Sequence, residues 1–190
     1  QAFHVFIQAA RDSDRLIEVA RPGMRRLWEA VGETVNLGVV ARRGVLYLDV
    51  IESAQSLRAT SEVGSFDTLH STALGKAILS RMPIAERDAL LAEAKLVPRT
   101  EHTVTSLEKL REAIELAAQS GHAVDFEENE IGMRCVAAPI VNADGRPLAA
   151  ISVSGPASRM TPATLERTCS PLSAPSNSNS ESLAANQLGE

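Results

Sequence analysis

Aromatic residues make up only 3% of this 190-residue chain, which has one Trp, one Tyr and four Phe. So thin a supply leaves the core to aliphatic side chains and argues against recognition of single-stranded nucleic acid by base stacking. Cysteine is equally scarce. The two present, Cys135 and Cys169, make no disulfide framework, so a reducing, cytoplasmic compartment is the expectation. Positive charge is in deficit, with a formal net charge of −5. A nucleic-acid surface needs a concentrated basic patch. The best cluster, Arg21, Arg25 and Arg26, reads as a solvated helix face. No apolar run reaches membrane-spanning length, so no membrane contact is expected. From Gln1 onward the sequence reads as mid-helix rather than as a secretory signal, so a fragment whose upstream part lies elsewhere is expected. CxxC, HExxH and G-x-S-x-G are missing. His4, His70, His102 and His122 lack metal-ligand spacing, and Gly38, Gly44 and Gly64 make no phosphate-binding loop. No metal, cofactor or catalytic residue is expected.

What is there suffices for one domain with a real core, at 44% hydrophobic and 23% charged residues. Residues 1–35 read as helical in two segments, with Pro22 opening the second. Residues 37–41 and 45–51 read as a hairpin around Arg42-Arg43-Gly44, residues 56–62 as a candidate further strand, and residues 64–68 as a loop. Helices are expected from about His70 to Leu79, over residues 83–94, and from a capping box of Thr105 and Glu108 to Gly121. Strands follow at residues 122–126, 134–140 and 148–154, the last two joined by a turn at Asn142-Ala143-Asp144-Gly145. Thr161-Pro162 signals a last helix that Pro171 and Pro175 interrupt, and residues 170–190 read as a mobile Ser/Asn/Pro-rich tail. Antiparallel hairpins without regular βαβ alternation indicate an α+β domain, a sheet with helices on its faces.

The chemistry gathers at two places. Alternation along 148–154 sets Ile151 and Val153 against Ala150, Ser152 and Ser154, and along 134–140 it sets Val136, Ala138 and Ile140 against Cys135, Ala137 and Pro139. If both small faces look the same way, they form a floor of hydroxyls, a thiol and methyls suited to a small molecule. The helix beginning near Ser71 offers the second element. Ser71 or Thr72 can cap it, and its small first-turn residues Ala73, Leu74 and Gly75 leave N–H groups and partial positive charge for an anion. Gly75 equally suits close helix–sheet packing, and both serines equally suit a solvated face. Cys135 is either a small buried hydrophobe or a pocket-lining thiol, because its neighbour Arg134 points to the other face. Asp125, ending an apolar strand, must be solvated, paired or ligand-bound. Glu127, Glu128 and Glu130 read as a solvated acidic loop.

Five blocks in order resemble the effector-binding domain of IclR-type bacterial transcriptional regulators: VNLGV at 35–39, LHSTALGKAIL at 69–79, GHAVD at 121–125, GMRCVAAPI at 132–140 and AISVSGP at 150–156. The resemblance runs from about residue 15 to about residue 168. It implies a GAF-like or profilin-like sensor over residues 21–169, with residues 1–20 as the end of a linker helix. It further implies a homodimer or homotetramer that binds a small-molecule effector, often a carboxylic or aromatic acid. DNA is reached only through a winged helix-turn-helix absent from this sequence. In relatives that respond to glyoxylate and pyruvate, the corresponding ligand positions fall on Ala73, Leu74, Asp125, Cys135, Ser152 and Ser154. The first pocket-helix position is glycine there and Ala73 here, and alanine there is Leu74 here, so the effector's identity does not carry over. The rival expectations are a GAF-like thiol enzyme using Cys135, and an oligomerisation module with a vestigial pocket.

Overall fold

The computed structural model describes residues 2–41 and 44–173, with side chains over 12–41 and 44–169. The first helix, α1 (Ala2–Val31), runs unbroken through Pro22, where the sequence predicted two segments. Proline in a helix interior removes an i→i−4 hydrogen bond. Here the loss falls on the solvent side, since Pro22 and Glu18 are both exposed. The opposite stripe of Ala20, Met24 and Leu27 is buried against the sheet and holds the helix together.

After Gly32, whose φ of 74° turns the chain, come β1 (Thr34–Ala41) and β2 (Gly44–Ile51), with Ala41 opposite Gly44 across the expected hairpin. The next strand is β3 (Phe66–Thr68), paired with β2. It lies where a loop was expected, and residues 56–62 form no strand. Side chains hold that segment instead: Thr34 Oγ1 donates to the Ala59 carbonyl at 2.7 Å and Arg159 to the Leu57 carbonyl at 2.7 Å. Helices α2 (Ala73–Arg81), α3 (Ile84–Ala92) and α4 (Leu107–Ser120) follow. The cap of α4 is Ser106, whose Oγ accepts from Lys109 N, so the expected Thr105–Glu108 box is displaced by one residue. Gly121, in the left-handed region with φ 80°, ends α4 as predicted.

Strands β4 (Ala123–Phe126), β5 (Met133–Val141) and β6 (Pro147–Pro156) complete a six-stranded antiparallel sheet in the order β3-β2-β1-β6-β5-β4. The first strand and the last therefore meet at the sheet's centre. The final helix, α5 (Pro162–Ser173), includes Pro171, which was expected to interrupt it. Leu165 and Cys169, buried against the sheet, anchor it. Pro175 and the tail from residue 174 lie outside the described residues.

The fold is α+β, as the hairpin pattern predicts, with two cores back to back. Helices α1 and α5 pack on one face with Val35, Leu37, Val136 and Val153. Helices α2 and α4 pack on the other, where Leu74, Ile78, Leu110 and Ile114 meet the small residues Ala123, Ala137 and Ala150.

Candidate functional site

The strand register lines up the polar residues of the second face. Thr34, Ser154, Cys135 and Asp125 follow one another across β1, β6, β5 and β4, and Asn36, Ser152, Ala137 and Ala123 form the next row. The serines and Cys135 do share a face, as alternation predicts. That face is covered rather than open. Helix α2 lies across β5 and β6, and Leu74 sits over Gly38, where a Cβ would stand 3.1 Å from the Leu74 Cδ1. Small side chains on the sheet thus make room for a helix as well as for polar groups.

Five polar residues are nonetheless shut in between the sheet and α2, four on the strands and Lys76 on the helix itself. Ser152, Ser154, Asp125, Asn36 and Lys76 are each at most 7% exposed. Asn36 Nδ2 donates to both serine hydroxyls, at 3.1 Å to Ser152 Oγ and 3.2 Å to Ser154 Oγ. Its Oδ1 is buried without a partner among the described residues. Asp125 Oδ1 accepts from the Glu128 N–H at 2.7 Å and the Asn129 N–H at 3.4 Å. Burial drives its pKa up to about 7, against the pull of Lys76 and those N–H groups. Cys135 keeps partial exposure. Burial and then the Asp125 charge push its thiol up, with the Ser154 hydroxyl opposing. That is the wrong direction for a nucleophile. Tyr47, on β2, packs against the same core. Burial first, then Asp67, Cys135 and Asp125, raise its phenol.

At the start of α2, Thr72 is the cap: its Oγ1 accepts from the Gly75 N–H at 3.1 Å. This uses one first-turn donor and leaves those of Ala73 and Leu74, which the helix itself cannot satisfy. Gly75 serves packing, because a Cβ there would run into the Leu69 carbonyl. The lead-in to α2 is pinned by side chains. Ser71 and Thr68 share a short hydroxyl contact, Ser71 donates to Asn129 Oδ1 at 2.6 Å, and Asn129 donates to Asp67 Oδ2 at 2.8 Å.

Glu128, expected to be solvated, is instead buried and paired at 2.5 Å with Lys76 Nζ. A cavity of about 280 Å³ along α4 and β4 reaches this pair, and another of about 420 Å³ lies between β3 and α3. Neither is lined by Ser152, Ser154, Cys135 or Asp125. Among the described residues no group of three or more His, Cys, Asp or Glu is placed to hold a metal ion. Nor is any helix among them long and apolar enough to cross a membrane.

Single-strand alternation could not reveal Asn36 and Tyr47 as members of this cluster, since their roles depend on which strands are neighbours, nor Lys76, whose place depends on how α2 lies on the sheet. One signal was available: Asn36 stands between Val35 and Leu37, a polar residue alternating with core positions.

Residues 8–180 match the family model described as the bacterial transcriptional regulator IclR C-terminal. The chain is 39% identical to the HTH-type transcriptional regulator BhcR of Paracoccus denitrificans, over 87% of this chain and 61% of that protein. It is 34% identical to the HTH-type transcriptional regulator KdgR of Dickeya chrysanthemi, over 83% of this chain and 51% of that protein. It thus spans between half and two-thirds of these relatives' length. The crystal structure of Thermotoga maritima IclR superposes with a TM-score of 0.80 at 32% identity, covering 90% of this chain and 70% of that one.

Proposed function

Because the chain belongs to the IclR family of bacterial transcriptional regulators and matches their C-terminal part, we propose that it senses a small-molecule effector and passes that state to an operator-binding module elsewhere in the protein. The observation that carries this reading is the buried polar cluster beneath α2. A sheet–helix interface built only for stability has no use for an unpartnered amide oxygen, a carboxyl titrating near 7 and two serines side by side.

The effector class that fits is a small carboxylate. Its oxygens accept from the Ala73 and Leu74 N–H groups at the positive end of α2 and from the hydroxyls of Ser152 and Ser154. Asp125 and the Cys135 thiol complete the wall. Leu74 over Gly38 limits the ligand's bulk at the β1 side. The effector shifts the protein between states only by its differential affinity for them. In the full protein, α1 is the continuation toward the operator-binding module, and assembly as a homodimer or homotetramer belongs to the same proposal. No catalytic role is assigned, since burial and the neighbouring Asp125 charge push the Cys135 thiol up, away from the thiolate a nucleophile needs.

The test is a thermal-shift screen of this chain against keto-, hydroxy-, sugar and aromatic acids, with hits measured by calorimetry. A hit should lose about 30-fold or more in affinity when Ser152 and Ser154 are both replaced by Ala, with the unliganded melting temperature little changed. Undiminished affinity in that double variant removes the site, and a screen without hits removes the carboxylate class.

A further inference from the structure

Resting on the reading of this cluster as the effector site, we infer that Asn36 fixes which way the two serine hydroxyls face, and thereby makes the site select carboxylates over neutral analogues. The register places Asn36 opposite Ser152 and one position from the Thr34–Ser154 pair, so a single amide nitrogen reaches both hydroxyl oxygens. That nitrogen carries two hydrogens, one for each oxygen. A hydroxyl that accepts from Asn36 cannot also aim its own hydrogen at Asn36. Both O–H bonds are therefore turned away from the Asn36 nitrogen.

Ser154 stands opposite Cys135 across β5 and β6, and a thiol sulfur is only a weak acceptor for its hydroxyl. Thr34 does not donate to the serines, because its one hydroxyl hydrogen goes to the Ala59 carbonyl while its oxygen accepts from the Ser53 N–H. So arranged, the site turns two hydroxyl donors and the two N–H groups opening α2 toward a ligand, with Asp125 and Asn36 Oδ1 as the acceptors beside them. Four donors suit the two oxygens of an anion better than a neutral amide, which offers one acceptor oxygen in place of two.

The same amide turned end for end would accept from both serines and reverse their polarity. Asn36→Asp enforces that reversal, since a carboxylate can only accept. Asn36→Ala removes the constraint and lets the hydroxyls rotate freely. Asn36 is thus a positioning residue, and the readout that isolates it is a ratio of affinities rather than an affinity.

The experiment measures, by calorimetry on this chain, pyruvate, lactate and 4-hydroxybenzoate, each against its primary amide. The unsubstituted protein should bind at least one acid about 30-fold tighter than its amide. In N36A that preference should narrow to about threefold, and in N36D it should fall below one. A preference unchanged in N36A overturns the role of Asn36 even if the charge of N36D prevents folding, and so does one unchanged in a folded N36D. If the unsubstituted protein binds none of the acids, the effector-site reading fails, and this inference with it. If it binds them and the variants keep its ratio, only this inference fails.

Discussion

Burial holds the Asp125 carboxyl at about 7, from an ordinary value of 3.8, although Lys76 and two backbone N–H groups favour its charge. A carboxyl raised in the folded state binds a proton that the unfolded chain has already released between about pH 4 and 7. Its contribution to stability is therefore whole below pH 4, drains away as pH rises through that window, and is fully lost above pH 7. Asp125→Asn removes this dependence. The stability difference between D125N and the unsubstituted protein should move in the variant's favour by about 2–4 kcal/mol from pH 4 to pH 8, read by denaturant melts at each pH. A constant difference would place the raised carboxyl elsewhere. For the proposed effector the sign is the same. A protonated Asp125 does not repel a carboxylate, so affinity should fall as pH rises through 7.

Helix α2 depends on how closely its first turn approaches the segment before it. At Gly75 a methyl would occupy the space of the Leu69 carbonyl, a backbone atom that cannot swing aside like a side chain. Gly75→Ala should cost about 2–4 kcal/mol by chemical denaturation, more than the usual effect of adding one methyl, because the pinned turn at 68–72 must move with it. An Ala variant within 0.5 kcal/mol, on the order expected of a neutral surface change, would mean that this turn yields easily. The elements whose causes are local were readable from the sequence: Thr72 before α2, Gly121 after α4, and the turn after Val141. Those set by distant partners were not. Pro22 looks like a boundary until Met24 and Leu27 are seen buried against the sheet. Pro171 looks like a terminator until Leu165 and Cys169 anchor α5. Residues 66–68 look like a loop until β2 supplies a ladder. Within the site the serine and cysteine faces followed from period-two alternation, whereas the place of Asn36 needed the knowledge that β1 lies beside β6.

Across the whole molecule, the buried Lys76–Glu128 pair ties α2 to the loop after β4, and Asp125 takes its strongest hydrogen bond from Glu128's own N–H. Removing one partner strands the other's charge in the interior. Lys76→Met should cost about 3–5 kcal/mol, and the double change K76M/E128L should return to within about 1.5 kcal/mol of the original. A double variant as damaged as the single one would show that the pair does more than cancel its own charges. The same molecule puts two functions on the two sides of one strand. Val35 and Leu37 of β1 lie in the core that seats α1, while Asn36 between them holds the serines. At 30 residues α1 is about 45 Å long. Under the proposed sensing role, a tilt of about 5° where this helix meets β1 would sweep its far end through about 4 Å. A change at one buried amide, if it tilted the helix, would then be read at a point no effector touches.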